Sequence, residues 1–177
     1  INTFCRNVNS KFTDRRFMEK IAVNQDSDKP LNYSSWKRIS DFMSHPVLFS
    51  EDASYNDVKQ GRIGNCWFCS LVASFSGTRA SSIRTKIYPQ QYNPVGVYAI
   101  EIFIGQQRYF VLVDDFIPLN ASGLPAFGKS NNTNEIWFML FEKAFAKIWG
   151  CYQYLRGGHS RNLGSSRAAE FLSKSFF

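Results

Sequence analysis

Long apolar runs, histidine and clustered positive charge are all scarce in this sequence. Its longest uncharged apolar run, Ile136 to Phe141, is six residues, whereas a bilayer-spanning helix needs about 20. No signal-peptide pattern is visible. The chain opens at Ile1 rather than Met, which reads as a piece of a longer protein whose upstream targeting lies out of view. The 21 Lys and Arg outnumber the 14 Asp and Glu, giving a formal charge of +7. No basic run exceeds Arg15-Arg16 or Lys37-Arg38, and there is neither zinc-finger spacing nor an RNP-type strand. The excess therefore reads as a solvated surface, with no nucleic-acid partner expected. Cysteine is limited to Cys5, Cys66, Cys69 and Cys151. Cys66 and Cys69 form one C-x-x-C without a second pair, and the two histidines, His45 and His159, are far off in sequence, so zinc is weakly supported. The thiols read as reduced, in a cytoplasmic protein.

What is abundant is aromatic and aliphatic surface. Hydrophobic residues make up 44% and aromatic residues 16% of 177, which excludes a disordered tail and suits one domain with a dense core. Residues 1–34 are polar and mixed and read as an approach segment, with the domain proper over 35–177. Trp36, Ile39, Met43 and Val47 are spaced for one helical face that Pro46 interrupts. Residues 66–75 read as a buried helix that Gly77 stops. Val97 to Ile104 alternates in and out, turns at "GQQ" and returns as "RYFVLV", an antiparallel hairpin ended by Asp114, Asp115 and Pro118. The clearest helix is "NEIWFMLFEKAFAKIWG". Asn134 is expected to cap it, Glu135 to sit in its first turn and Gly150 to close it, with Trp137, Leu140, Phe141, Ala144 and Ile148 buried.

The stretch "QGRIGNCWFCSLVASF", residues 60–75, carries the chemistry. A thiol is a poor nucleophile until it ionises, and a helix N-terminus favours the thiolate. Cys66 stands where such a helix should begin. An attacked amide carbonyl becomes an oxyanion, for which the nucleophile's own N–H is one donor and a side-chain amide from the preceding loop a second. Gln60 is a neutral donor of suitable reach, and Gly61 and Gly64 let the loop fold back on the helix start. On this local pattern alone, a small core cysteine opening a buried helix remains an open alternative.

The same stretch resembles the calpain motif Q-G-x-x-G-D-C-W-F/L-x-A, and the resemblance continues along nearly the whole chain. "FTD" at 12–14, "WKR" at 36–38, "PVLF" at 46–49 and "DVKQG" at 57–61 are similar to the family's segments ahead of the cysteine. "GVYAIEIF" and "RYFVLVDDFIP" resemble its strand pair, and "NEIWFMLFEKAFAKIWGCYQYLRGG" resembles its long helix almost position by position. The resemblance implies an α+β fold: half of a papain-like cysteine peptidase, a central helix with the cysteine at its N-terminus, a small sheet and a second long helix. It implies Cys66 as nucleophile, Gln60 as oxyanion-hole donor and protein substrates. It also implies calcium held with the help of Asp57 and Glu135, and a second subdomain that supplies the catalytic histidine and asparagine.

Asn65 stands where the family usually has Asp, and Cys69 replaces an aliphatic residue. "RAAEFLSKSFF" lacks the family's D-F-T-G-G. With His159 a poor stand-in for the activating base, the expectation is the nucleophile-bearing part of a calcium-dependent endopeptidase, inactive by itself. The alternative is a non-catalytic calpain-like module that binds protein or calcium. The Asn32, Asn120 and Asn131 sequons are chance matches on a cytoplasmic reading.

Overall fold

The computed structural model of the protein describes residues 2–156, apart from 8, 25–27, 29, 51–54, 105 and 106. His159 and the C-terminal "RAAEFLSKSFF" therefore lie outside the described residues. Helices α1 (Asn2–Asn7), α2 (Glu19–Ala22) and α3 (Ile39–Phe42) are short; α4 (Cys66–Arg84) and α5 (Trp137–Trp149) are long. Strands β2 (Ile87–Tyr88), β3 (Val97–Ile104) and β4 (Gln107–Asp114) form an antiparallel sheet in that order, while β1 (Ser35–Arg38) and β5 (Phe116–Leu119) form a two-stranded ribbon.

The hairpin follows the sequence pattern. Val97 pairs with Asp114 and Ile104 with Gln107, and Tyr98, Ile100 and Ile102 point into the core while their neighbours alternate away. Helix α5 packs against this sheet and α4. Phe68 on α4 stacks on Phe138 with ring centroids 5.9 Å apart and contacts Phe145 at 4.9 Å. Trp67 Nε1 donates to the Leu155 carbonyl at 2.8 Å. One turn of α4 is thereby anchored on its inner side, and Cys66 is left on the outer side. Phe17, Ala22, Val23 and Leu31 join the same core.

Four local expectations are corrected. Helix α4 runs through Gly77 to Arg84. An interior glycine costs only about 1 kcal/mol and breaks no backbone hydrogen bond, and the far end is held by buried Ile83. Residues 35–38 are strand, with only 39–42 helical. A four-residue apolar spacing fits either state, and pairing of Trp36 with Pro118 and Arg38 with Phe116 decides it. The chain after Asp115 does not stop being strand: it supplies β5, Pro118 included, which a ribbon made only of edge strands tolerates. Finally, Asn134 does not cap α5. The helix begins at Trp137, and its first N–H groups are taken by a neighbouring segment: Ile136 N–H donates to the Val47 carbonyl at 3.1 Å and Trp137 N–H to that of Leu48 at 3.2 Å. Gly150 does close the helix, with its N–H donating to the Lys147 carbonyl.

Candidate active site

Cys66 is the first residue of α4 and is exposed, whereas Cys5, Cys69 and Cys151 are buried. The loop leading to it is pinned on both sides. Lys59 and Lys129 exchange backbone hydrogen bonds of 2.9 and 3.0 Å, and Arg62 N–H donates to the Ala126 carbonyl at 3.0 Å. Between them, Gly61 lies so close to Phe127 that a Cβ would sit 2.2 Å from its carbonyl carbon. Only glycine permits this approach. Gln60 is exposed between these two ties, so the loop that carries it has little freedom relative to Cys66. Gly64 turns the chain into the helix with φ of +77°.

Asn65 is fully buried and begins α4: its carbonyl accepts from Phe68 N–H at 2.9 Å and Cys69 N–H at 3.1 Å. Its side chain is held as well. Nδ2 donates to Glu142 Oε1 at 2.8 Å, and Oδ1 accepts from the Cys69 thiol at 3.7 Å. Burial, the nearby Glu142 carboxylate and Cys66 push the Cys69 thiol up to about 12, so Cys69 stays protonated. Among the described residues no imidazole is hydrogen-bonded to Cys66. His45, the described histidine, is exposed in the turn after α3, with φ of +54°.

Glu142 is 1% exposed. Burial raises its carboxyl from 4.5 to about 7, opposed by hydrogen bonds from Asn65 and from Gly128 N–H. A carboxyl whose folded value lies above its unfolded value is bound more tightly by its proton in the fold. Stability from Glu142 is thus fully present below 4.5 and declines as pH rises to about 7. Unfolding titrations should show that decline in the wild type and a shallower slope in Glu142→Gln over the same range. Equal slopes would remove Glu142 from the pH dependence.

Asp57 and Glu135 lie on segments that are tied together through residues 130 and 131. Asp57 ends a 3-10 turn, Tyr55–Asp57, that packs on α4. Asn131 Nδ2 donates to the Asn56 carbonyl beside it, and the preceding residue, Ser130, donates its hydroxyl to Glu135 Oε2. Glu135 Oε1 accepts from Ser50 N–H at 2.9 Å and Ser50 Oγ at 3.1 Å. Glu135 precedes α5 rather than lying in its first turn. It is 1% exposed, and its donors among the described residues are neutral hydroxyls and an N–H. A buried carboxyl group held by neutral donors suits a hard cation with further oxygen ligands. Among the described residues no three His, Cys, Asp or Glu side chains gather as a metal cluster, so backbone and amide oxygens would have to complete the set.

The family model described as calpain family cysteine protease matches residues 12–166. The chain belongs to the calpain family of cysteine proteases. It is similar to the calpain-type cysteine protease DEK1 of Arabidopsis thaliana, 37% identical over 159 residues that make up 84% of this chain and 7% of that protein. It is similar to DEK1 of Zea mays at 41% over 158 residues, 83% of this chain and 7% of the other. Human calpain-12 is 36% identical over 138 residues, 76% of this chain and 19% of that protein. The chain thus spans less than a tenth of the plant calpains and about a fifth of the human one. The α+β fold with its small antiparallel sheets is that of a papain-like calpain domain. The two plant relatives are described as calpain-type cysteine proteases. Among the described residues no helix is long and apolar enough to cross a membrane.

The sequence did not single out Asn65 as a helix-start anchor, nor Glu142, Gly128, Ser50 or Ser130 as partners. The sequence signal was limited to an adjacent charge pair, Glu142 and Lys143, within an aromatic-rich run, and the structure buries all of Trp137–Ala146.

Proposed function

We propose that this chain is the nucleophile-bearing part of a calcium-dependent cysteine endopeptidase. The observation that carries the reading is the exposure of Cys66, alone among the four thiols, at the first residue of a long helix beside a loop tied at Lys59 and Arg62. Cys66 Sγ, as thiolate, attacks the carbonyl carbon of a peptide bond. The carbonyl oxygen becomes an oxyanion that takes hydrogen bonds from the Cys66 backbone N–H and the Gln60 side-chain amide. Collapse breaks the C–N bond, the amine leaves with a proton, and water then hydrolyses the thioester. The proton carrier, an imidazole oriented by an asparagine, is supplied by a second subdomain. Without that base the chain should not turn over peptide, since losing one member of a unit that acts together removes several powers of ten in rate. Residues 1–34 form an approach segment to the core subdomain over 35–177, and the free thiols fit a cytoplasmic setting.

Limiting iodoacetamide, followed by peptide mapping, tests the assignment. Cys66 should label first, since exposure and thiolate fraction set reactivity. Labelling of Cys69 or Cys151 ahead of it would overturn the reading and favour the non-catalytic module.

Asp57 and Glu135 are the side chains that would hold calcium. When bound, the ion would supply fixed positive charge, and Asp57 and Glu135 would then tie the loop ahead of Cys66 to the start of α5. Binding only to the folded chain raises stability by about 2.7 kcal/mol at a hundredfold excess over the dissociation constant. The melting temperature should therefore rise in millimolar calcium and much less in magnesium, which resists irregular carbonyl-rich sites. The shift should vanish in Asp57→Ala and Glu135→Ala. An unchanged wild-type melt removes the calcium claim, and a shift that survives both substitutions moves the site elsewhere.

A further inference from the structure

Glu142 reaches from α5 to the two segments that bracket the Gln60 loop. Oε1 accepts from Asn65 Nδ2 at 2.8 Å, and Oε2 accepts from Gly128 N–H at 2.9 Å. Asn65 is the anchor of the first turn of α4, next to Cys66. Gly128 belongs to the strip 126–129 whose carbonyls at Ala126 and Lys129 hold the backbone of the loop carrying Gln60. A Cβ at Gly128 would lie 2.7 Å from Glu142 Oε1, so the approach leaves no slack.

We propose that Glu142 is a positioning residue for the Cys66 half-site, a carboxylate clip that fixes the start of α4 to the strip holding the Gln60 loop. The proposal rests on the reading of Cys66 and Gln60 given above, and supplies the part that keeps their spacing.

The chemistry of the clip requires ionised Glu142. Both of its oxygens face N–H donors, and a carboxylate accepts at both. A protonated carboxyl carries an O–H where one of those acceptors was, so either Asn65 or Gly128 loses its partner. The clip therefore opens as pH falls through about 7. Other groups facing Glu142 do not titrate there: Cys69 on α4 is pushed up to about 12, and Tyr152, in the 3-10 turn after α5, is raised well above its ordinary value by burial. Lys143, the next residue, is turned to Asp114 and the Phe116 carbonyl. A fingerprint follows. Acidification should strengthen the whole fold through Glu142, as derived above, yet loosen the first turn of α4. A residue with a packing role alone would move both in the same direction.

Amide hydrogen exchange on the whole chain reads this. The amides of Phe68, Cys69 and Gly128 depend on the clip; those of Ile100 and Val111 in the hairpin do not. At pH above about 7, Glu142→Gln should speed exchange of the first set by at least about tenfold, as expected when a local opening costs RT ln 10 less, with the hairpin unchanged. Wild type should lose the same protection as pH falls through about 7, a step missing in Glu142→Gln. Adding Asn65→Asp to Glu142→Gln exchanges acid and amide: the introduced amide can donate to the introduced carboxylate and still accept from Gly128 N–H. Protection should return to within about twofold, and Cys66 alkylation, changed at least about fivefold in the single variant, should return with it. Unchanged exchange in Glu142→Gln overturns the clip. So does a loss spread over the hairpin that Asn65→Asp does not recover. If the single variant fails to fold, the double variant is read against the wild type instead, and loss of protection at Phe68, Cys69 and Gly128 beyond about twofold overturns the clip. Failure of Cys66 to label first in wild type would instead strike the parent reading and leave these exchange results standing.

Discussion

Asp114→Ala is expected to lower stability by about 3–5 kcal/mol, the usual loss when one partner of a buried ion pair is removed. Lys143 is 0% exposed and Asp114 is 2% exposed. The Lys143 ammonium donates to Asp114 Oδ1 and, at 2.7 Å, to the Phe116 carbonyl. Asp114 also accepts from Asp14 N–H at 2.7 Å and Phe116 N–H at 3.1 Å. One carboxylate thus joins α5, the start of β5 and the N-terminal segment, and its removal strands a buried cation and two N–H donors. Burial lowers the Lys143 ammonium from its ordinary value while Asp114 raises it. Without Asp114, burial would still act to lower the ammonium, opposed only by the charges of Asp115 and Asp14. Urea midpoints compared at constant slope measure the effect. Asp114→Leu combined with Lys143→Met should recover much of it, because apolar groups of similar volume avoid desolvating charge. A single-variant loss below about 1 kcal/mol would mean that the pair is not the joint described.

Gln60→Ala should slow acylation of Cys66 by a peptide p-nitrophenyl ester about 10²–10³-fold, the effect of removing one oxyanion donor. The same variant should alkylate with iodoacetamide within about twofold of wild type. The two reagents differ in one physical respect. Attack on an ester makes an oxyanion, whereas displacement of iodide does not. A Gln60 that serves only the loop would slow both or neither. The ester also carries its own good leaving group, so acylation does not depend on an imidazole to protonate it.

The parts of the fold legible in the sequence are those with local causes. Alternation from Val97 to Ile104 gave the hairpin because a half-buried sheet has a period of two. Cys66 opens its helix as the loop-to-apolar switch indicated. The β1–β5 ribbon was not legible, because its partners, such as Trp36 and Pro118, lie some eighty residues apart and each reads ambiguously alone. Asn134 looked like a cap until the Val47 and Leu48 carbonyls took the donors it would have served. At the site, the ordered motifs led to Cys66, Gln60, Asp57 and Glu135 as candidates; the structure puts Cys66 exposed at the start of α4, ties the Gln60 loop at Lys59 and Arg62, and buries Glu135 on Ser50 and Ser130. Glu142 and Lys143 were not singled out from the sequence. Only the packing of all sides of α5 shows them buried, one on Asn65 and one on Asp114.

The most direct test of Cys66 as an acyl-transfer nucleophile is to react the chain with the peptide ester and map the acyl group. One acyl group per chain is expected, on Cys66, formed far more slowly in Gln60→Ala and absent in Cys66→Ala. Acyl transfer spread over several side chains, or a Cys66 adduct formed equally fast without Gln60, would contradict the account.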